Sequence, residues 1–357
     1  MRRISWFIGL AVGILLIAAA PIVRWAVAPA VTVLPSDTNT MRVYTGTAST
    51  VINPSLLRGT LFGPALLHNQ PISVIQHVKV LDTSGNNALV QDSKRVTLQN
   101  NAIANVTHRY AVDRKDMGAG SGFNGVTAQT GLTFNWPIHT GKQNYTGWVS
   151  DIQATTPLVY AGEATRGGIN TYVFKASVPS TRVTDPAELS GLPASISKAT
   201  LNTMTPSLGL SIDQLKKLSS VLSTLPDPVP FGYLFSATST YWIAPDSGVV
   251  VDVASHEVRT SGFVVAGQVL PVGPVLDFTY TSPPLTLTAA ASDAKDKAAQ
   301  MQLISTTIPL VALITGGVIL LVLIGTAVYS RRRTTAPPTT PPTTMAPPRE
   351  RELTPVG

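Results

Sequence analysis

Residues Ile308–Val328 read IPLVALITGGVILLVLIGTAV, and Arg331, Arg332 and Arg333 follow after only two further residues. The segment contains 21 residues and no charged side chain. At about 1.5 Å per residue, a helix of this length covers roughly 31 Å, which matches a hydrocarbon core of about 30 Å. A helix in a soluble core is the alternative, but the length and the arginines that follow favour a membrane-spanning helix over 308–328.

A second apolar segment, residues 4–23, lies near the N-terminus directly after Arg2 and Arg3. Its length predicts a first transmembrane helix. A cleaved signal peptide is the alternative, because residues 18–20 and 26–28 both fit a cleavage pattern. Pro21 and Pro29 follow these patterns and disfavour cleavage there, so we expect an uncleaved anchor.

The arginines at the outer flanks of the two segments predict the topology. By the positive-inside rule, residues 1–3 and 331–357 lie in the cytoplasm, and residues 30–288 form a domain on the other side. Residues 289–307 have a helical pattern and are expected to form a stalk. The last segment, 331–357, is rich in Pro and Thr and is expected to be disordered. The sequence therefore predicts a two-pass protein of the cell membrane.

Glycines occur in both apolar segments and allow two helix backbones to approach closely. They are Gly9, Gly13, Gly316, Gly317 and Gly325. Glycine is also common in membrane helices that do not pair in this way, so both alternatives stay open.

The net charge of +7 is concentrated at the chain ends. The first 29 residues hold three Arg, residues 308–357 hold five Arg against two Glu, and the stretch between holds 18 basic against 17 acidic residues. A nucleic-acid partner is therefore not expected, because the excess flanks apolar segments instead of forming a basic face. Cysteine is absent, which excludes disulfides, thiolate nucleophiles and cysteine-bound metals.

The middle of the chain has short runs rich in Val, Thr, Tyr and Ile between turn-forming clusters, which predicts strands. Residues 249–257 indicate a strand covered on both faces, and residues 263–270 are predicted as one strand of a meander. A core helix is expected near 212–225. The predicted fold class is mainly β (α+β), a large antiparallel β-rich domain between two transmembrane helices.

No motif for catalysis, cofactor binding or metal binding is evident, and none of the three is predicted. The five histidines show no spacing that would place two rings on one metal, although distant residues can still converge. They are His68, His77, His108, His139 and His256. Acidic residues such as Asp113, Asp116 and Asp151 are expected in solvated turns.

The densest pattern is a predicted β-hairpin over residues 241–252, in which an aromatic strand, a Pro-Asp-Ser-Gly turn and a valine strand follow each other. Its characteristic residues are Tyr241, Trp242, Pro245, Gly248 and Asp252.

Four motifs in this order carry a resemblance to a known family: YAVDR at 110–114, GLTFNWP at 131–137, the segment 160–174 and the hairpin 241–252. Together they resemble the PorA-like porin family of actinobacteria, also classed as a domain of unknown function, with membrane helices at both ends. The resemblance implies a cell-envelope protein in an organism with a mycolate-type wall and brings no catalytic residue. Relatives carry a cysteine pair after the first motif, and residues 118–125 replace that pair here.

Three functions follow from these observations. The first is a non-catalytic envelope protein whose outer β domain binds or transfers a lipid, glycolipid or wall component. The second is a pore, which would require an oligomer because two helices enclose no lumen and the predicted strands are short for a β-pore. The third is an envelope hydrolase or transferase, which gains if two carboxylates, or His108 or His139 with an acid, share one cleft.

Overall fold

The computed structural model describes residues 2–53, 64–205 and 211–334, which form two compact units. The helical unit comprises the chain up to Val27 and from Ile304 onward, and the β unit comprises Ala28–Leu303. The last helix continues to Thr334 and so includes residues 331–334, the first four of the segment that the sequence predicts to be disordered. The rest of the predicted disordered tail lies outside the described residues.

The β unit is built mainly of antiparallel strands, which confirms the predicted fold class. The strands are β1 Asn39–Ile52, β2 Leu66–Ser84, β3 Asn87–Leu98, β4 Asn101–Asp113, β5 Tyr145–Val149, β6 Ala154–Arg166, β7 Ile169–Arg182, β8 Ser195–Ile196, β9 Val229–Ile243, β10 Val250–Val265 and β11 Gln268–Thr281. The helices of this unit are α2 Ala28–Val31, α3 Pro186–Leu189, α4 Lys198–Met204, α5 Ile212–Thr224 and α6 Pro284–Gln302. Helices α1 Arg2–Ile22 and α7 Ile308–Thr334 belong to the helical unit.

The strands form one curled sheet in the order β4-β3-β2-β1-β11-β10-β9-β7-β6-β5, with β8 paired to β9. An ion pair shows that the sheet is curled: the Lys94 ammonium on β3 lies 2.6 Å from the Glu257 carboxylate on β10. Three strands lie between them, and in a flat sheet four spacings of about 4.8 Å would separate them by about 19 Å. Two side chains cannot bridge that distance, so the sheet bends into a half-barrel with a concave inner face.

Two sequence expectations about the strands need correction. Most strands have 12 to 19 residues and are not short. Residues 263–270 are not one strand, because Ala266 and Gly267 adopt left-handed φ values of 48° and 81° and turn the chain from β10 into β11. Apolar residues continue on both sides of this turn, which concealed it. The stretch 249–257, predicted to be covered on both faces, is so only in its first part: residues 249–253 are all buried, whereas His256 is exposed.

Helix α6 packs against the β unit. It begins at Pro284, before the predicted stalk, and its first turn is anchored by Thr286, whose hydroxyl donates to the carbonyl of Val43. A small apolar cluster joins the helix to the β9–β10 hairpin and comprises Ala244, Val249, Val251, Ala291 and Ala294. The segment predicted as a stalk is, up to Gln302, a helix packed against this hairpin.

The helix expected near residues 212–225 is α5, which runs from Ile212 to Thr224. Its leucines Leu218 and Leu222 pack in a cluster with Phe263.

The helical unit pairs α1 with α7. Its two helices are long and apolar enough to cross a membrane, over Ile4–Ala30 and within Pro284–Ser330. Large apolar side chains such as Leu15 and Leu321 are 67% and 70% exposed. Water would penalise so large an apolar surface, whereas lipid would not. The side chains of Arg2, Arg3, Arg331, Arg332 and Arg333 lie outside the described residues, although their backbone is helical.

The glycines predicted for helix packing fall into two groups. A Cβ on Gly316 would lie 2.8 Å from the Gly13 carbonyl oxygen, and a Cβ on Gly13 would lie 2.9 Å from Leu320. Gly9 faces Leu323 in the same way, at 3.3 Å. At Gly317 and Gly325 an added Cβ would meet nothing within 4 Å. The first group lies where the backbones approach closely, and the second does not.

Substituting Gly316→Leu is therefore expected to separate α1 from α7, whereas Gly317→Leu is not. The measurement is the yield of an oxidative cross-link between cysteines introduced by Gly9→Cys and Leu323→Cys, in a chain without other cysteines. We expect Gly316→Leu to lower the yield at least several-fold. Equal yields in the two leucine variants would contradict this helix contact.

Candidate functional site

The concave face of the sheet encloses a cavity of about 220 Å³, here called the chamber. Its lining includes aromatic side chains, represented by Tyr44, Trp136 and Tyr241, which we call the aromatic wall. Its lining also includes charged side chains, represented by Arg42, Lys94 and Glu257, which we call the polar wall. The chamber therefore offers apolar surface and hydrogen-bonding groups to the same small volume.

The polar wall follows from strand alternation. Register places Arg42 on β1 opposite Gln76 on β2, and Gln76 opposite Lys94 on β3, so the three side chains form one row on one face. On β3 the inward positions read Val90, Asp92, Lys94, Val96 and Leu98, with two charges among apolar neighbours. The alternation of β3 places Asp92 and Lys94 at inward positions, and this pattern could have indicated the polar wall from the sequence. The sequence analysis did not use it.

Trp136 reaches the aromatic wall from the long connection between β4 and β5. Its backbone N–H donates to the Gly248 carbonyl at 3.2 Å, and its ring centroid lies 5.2 Å from that of Tyr241 and 5.6 Å from that of Phe174. The side chain is 5% exposed, and its indole nitrogen has no hydrogen-bond partner among the described residues. The connection is thus held on the β9–β10 hairpin and fixes the ring at the chamber.

Lys94 and Glu257 form the centre of the polar wall. The Lys94 ammonium donates to both carboxylate oxygens at 2.6 Å, and the Tyr280 hydroxyl donates to Oε1 at 2.7 Å. Burial alone would lower the pKa of Lys94, but the Glu257 carboxylate outweighs burial and raises it. Burial alone would raise the pKa of Glu257, but Lys94 outweighs burial and lowers it. Both groups are therefore ionised at neutral pH.

A second ion-pair group joins the chamber to α6. Asp293 lies 3.9 Å from Arg42 and accepts from Lys297 at 3.1 Å, and all three residues line the chamber. The helix that covers the β9–β10 hairpin thus also contributes charges to the site.

A buried cluster lies next to the polar wall. The Arg259 guanidinium pairs with Asp151 and, at 2.8 Å, with Glu188. Burial first, and then the nearby Asp151 carboxylate, raise the pKa of Glu188 to about 7, although Arg259 opposes both effects. The cluster holds α3 and the turn after β5 against β10.

Glu188 predicts a pH dependence of stability. Its carboxyl keeps its proton up to about pH 7 in the folded protein, whereas its ordinary pKa is 4.5. Its contribution to stability is therefore complete below pH 4.5 and is lost as the pH rises through 7. Glu188→Gln is expected to unfold at a higher temperature than the unsubstituted protein at pH 8, with a smaller difference at pH 5.

The measurement is the melting temperature against pH in detergent. Glu163→Gln is the control, because Glu163 is exposed and its hydrogen bond from Lys142 lowers its pKa. An equal difference at pH 5 and pH 8 for Glu188→Gln would contradict the raised pKa.

The predicted histidines do not form a metal site in the described part of the chain. His77 and His256 lie on strands beside Asn39 and Asp277, and His139 is exposed in a loop. His108 meets Asp185 at 2.6 Å, and both are buried. A histidine and an acid are thus brought together, as the hydrolase hypothesis required.

The His108–Asp185 pair does not form a cleft that a substrate enters. Neither residue lines the chamber, and Asp185 also caps α3 by accepting from the backbone of Ala187. Within the described ranges, the His108 ring has no hydrogen-bond partner other than Asp185. The pair therefore anchors α3 to β4.

The hairpin residues occupy distinct positions around the chamber. Tyr241 faces inward, whereas Trp242 stacks under the Arg166 guanidinium at 4.3 Å. Asp252 is buried and lies 3.6 Å from Arg166. The Pro245 carbonyl accepts from Thr140, and Gly248 has a φ of +68° directly beside the Trp136 carbonyl. The turn thus holds the connection that carries Trp136.

The two apolar helices and the curled antiparallel β unit with a mixed chamber define a membrane protein with one large β domain. A profile of the family described as Porin PorA matches residues 7–324. The chain belongs to the PorA porin family, which confirms the resemblance. No curated protein matches it.

Among solved structures, the acyl-CoA thioesterase II TesB2 from Mycobacterium marinum aligns at 10% identity and a TM-score of 0.12, over 68% of this chain and 79% of that chain. That TM-score is too low to carry any argument.

Proposed function

We propose that this protein is a two-pass protein of the cell envelope, with both termini in the cytoplasm and the β unit outside. The β unit is non-catalytic and binds, or hands on, an envelope lipid, glycolipid or wall component by placing its polar part in the chamber. The supporting observation is the chamber itself, because it combines an aromatic wall with a polar wall inside a curled sheet. The arginines flanking both apolar helices support the orientation.

The size and charge of the chamber favour a headgroup over an acyl chain. Its volume of about 220 Å³ is below the roughly 300–1,000 Å³ of pockets for drug-sized ligands. An acyl chain would also remove water from Lys94 and Glu257 without offering hydrogen bonds, which is costly for charged groups. A lipid ligand would therefore keep its tail outside the chamber.

The paired state of the charged groups supports a non-catalytic role. Asp151 and Glu188 share the Arg259 guanidinium, and Glu257 is held by Lys94 and Tyr280. A general acid or base needs free access to its substrate. These groups instead form ion pairs and hydrogen bonds with one another.

Native mass spectrometry of the detergent-extracted protein tests the binding proposal. We expect a bound envelope component on the unsubstituted protein and its loss in Ala237→Phe, which fills the chamber from β9. Ala254→Phe is the matched control, because Ala254 lies on the outer face of the neighbouring strand β10. An unoccupied unsubstituted protein, or equal occupancy in both variants, would refute the proposal.

Pore formation is the second candidate, and the family description favours it. The strands are long enough to cross a bilayer, but a β-pore needs an apolar lipid-facing band. The outer face instead exposes hydroxyl side chains: Thr45, Thr47, Thr238, Thr279 and Thr281. A pore would therefore have to form from the helices of several copies, and planar bilayers that show no reproducible conductance steps would exclude it.

A further inference from the structure

We infer that the chamber binds a neutral polyhydroxylated ring, of the size and chemistry of a single pyranose sugar, laid against the aromatic wall and hydrogen-bonded by the polar wall. This inference rests on the proposed binding function and specifies the chemical class of the group that enters.

The charge balance of the chamber disfavours cations and leaves little excess charge for an anion. Among the described lining residues, Lys94 is matched by Glu257, whereas Arg42 and Lys297 share the single carboxylate of Asp293. The third lining carboxylate, Asp151, is held by Arg259 from outside the chamber. The lining therefore has an excess of about one positive charge, beside Asp293, and a phosphate there would also meet that carboxylate.

The paired groups still have unused hydrogen-bonding capacity. A carboxylate accepts at about four positions, and Glu257 receives bonds from Lys94 and Tyr280. A guanidinium has five N–H donors, and the ion pair of Arg42 with Asp293 is loose at 3.9 Å. Donors and acceptors therefore lie side by side, and adjacent hydroxyl groups, each both donor and acceptor, satisfy both.

The aromatic wall provides the complementary surface. Trp136 and Tyr241 lie with centroids 5.2 Å apart, and Tyr44 packs against Tyr280 on the neighbouring strand β11, with centroids 5.6 Å apart. Burial raises the pKa of Tyr44 to about 12, so its hydroxyl stays neutral. The C–H face of a sugar ring packs on such rings, while an extended polyol without a ring lacks a comparable face.

The volume fits one ring. At about 30 Å³ per water molecule, 220 Å³ corresponds to about seven waters. A ring of six atoms with its hydroxyl groups displaces a volume of this order, whereas a disaccharide would extend beyond the chamber.

Saturation-transfer NMR on the full chain in detergent tests the inference. The probes are the methyl pyranosides of glucose, galactose and mannose, with inorganic phosphate and hexanoate tested in parallel by competition. We expect transfer from the protein to the ring protons of at least one pyranoside, no competition by phosphate or hexanoate, and at least a fivefold loss of transfer in Ala237→Phe. Ala254→Phe is expected to retain the signal.

A second variant, Arg42→Met, provides an independent test in case Ala237→Phe does not fold. Arg42→Met keeps the length of the side chain but removes its donors, and it is expected to weaken binding at least threefold while the melting temperature stays within a few degrees. Phosphate or hexanoate binding in place of the sugars, or sugar transfer that Ala237→Phe does not change, would overturn the inference. Native mass spectrometry distinguishes the failure of the proposed binding function from the failure of the sugar inference. If a bound component is lost in Ala237→Phe but no sugar binds, only the sugar inference is refuted. If no component is bound to the unsubstituted protein, both are refuted.

Discussion

Arg259→Met is expected to destabilise the β unit by about 3–5 kcal/mol, because it leaves two carboxylates buried without their cation. The guanidinium holds Asp151 and Glu188 together, and the side chains of all three residues are at most 12% exposed. Methionine keeps most of the apolar length of the side chain, so the loss comes from charge and hydrogen bonds. In a domain of this size the change lowers the melting temperature by roughly 10 °C.

The loss of stability should be specific to the buried arginine and should depend on its partner Glu188. Arg95→Met removes an exposed arginine from the outer face of β3 and is the control, with an expected change within about 0.5 kcal/mol. Adding Glu188→Gln to Arg259→Met should restore part of the lost stability, because without Arg259 the folded protein must keep Glu188 protonated at pH 7.5, and glutamine does not have this cost. Thermal unfolding in detergent at pH 7.5 provides the measurement. Similar melting temperatures for Arg259→Met and Arg95→Met would show that the buried cluster contributes little.

Gly248→Ala is expected to destabilise the protein by about 3 kcal/mol and to loosen the aromatic wall. The residue has a φ of +68°, which costs a residue with a Cβ about 1–2 kcal/mol. An added Cβ would also lie 2.2 Å from the Trp136 carbonyl oxygen and 2.7 Å from that of Pro137. Both carbonyls are backbone atoms, so the connection between β4 and β5 must move, and Trp136 must move with it.

Gly85→Ala separates the cost of a positive φ from the cost of the steric contact with the backbone. Gly85 also has a positive φ, +55°, but an added Cβ would meet nothing within 4 Å. We expect Gly85→Ala to lose about 1 kcal/mol, and Gly248→Ala to lose more and also to shift the tryptophan emission spectrum. Equal losses of stability with unchanged emission would contradict the contact between the hairpin turn and Trp136.

The sequence predicted the elements of this fold better than their arrangement. Strand composition and the two apolar segments gave the correct class, and the motifs up to the 241–252 hairpin gave the correct family. Of residues 249–257, which were expected to be covered on both faces, 249–253 are all buried and His256 is exposed. These predictions depend on local periodicity and on motif order, which a single sequence contains.

The chamber could not be predicted because it depends on contacts between distant residues. Lys94 and Glu257 are 163 positions apart and meet only because the sheet curls. Asp151 was expected in a solvated turn, but the curl buries it against Arg259. The inward charges on β3 were visible as a pattern, but the pattern alone does not identify their partners.

Every functional proposal requires the proposed orientation, with the β unit outside the cytoplasm, and cysteine accessibility tests that orientation most directly. The chain has no cysteine, so Ser84→Cys at the exposed β2–β3 turn and Ser330→Cys near the end of α7 each introduce a single reporter. In intact cells, a membrane-impermeant maleimide should label Ser84→Cys and should label Ser330→Cys only after permeabilisation. Labelling of Ser330→Cys but not Ser84→Cys in intact cells would place the β unit in the cytoplasm and contradict the account.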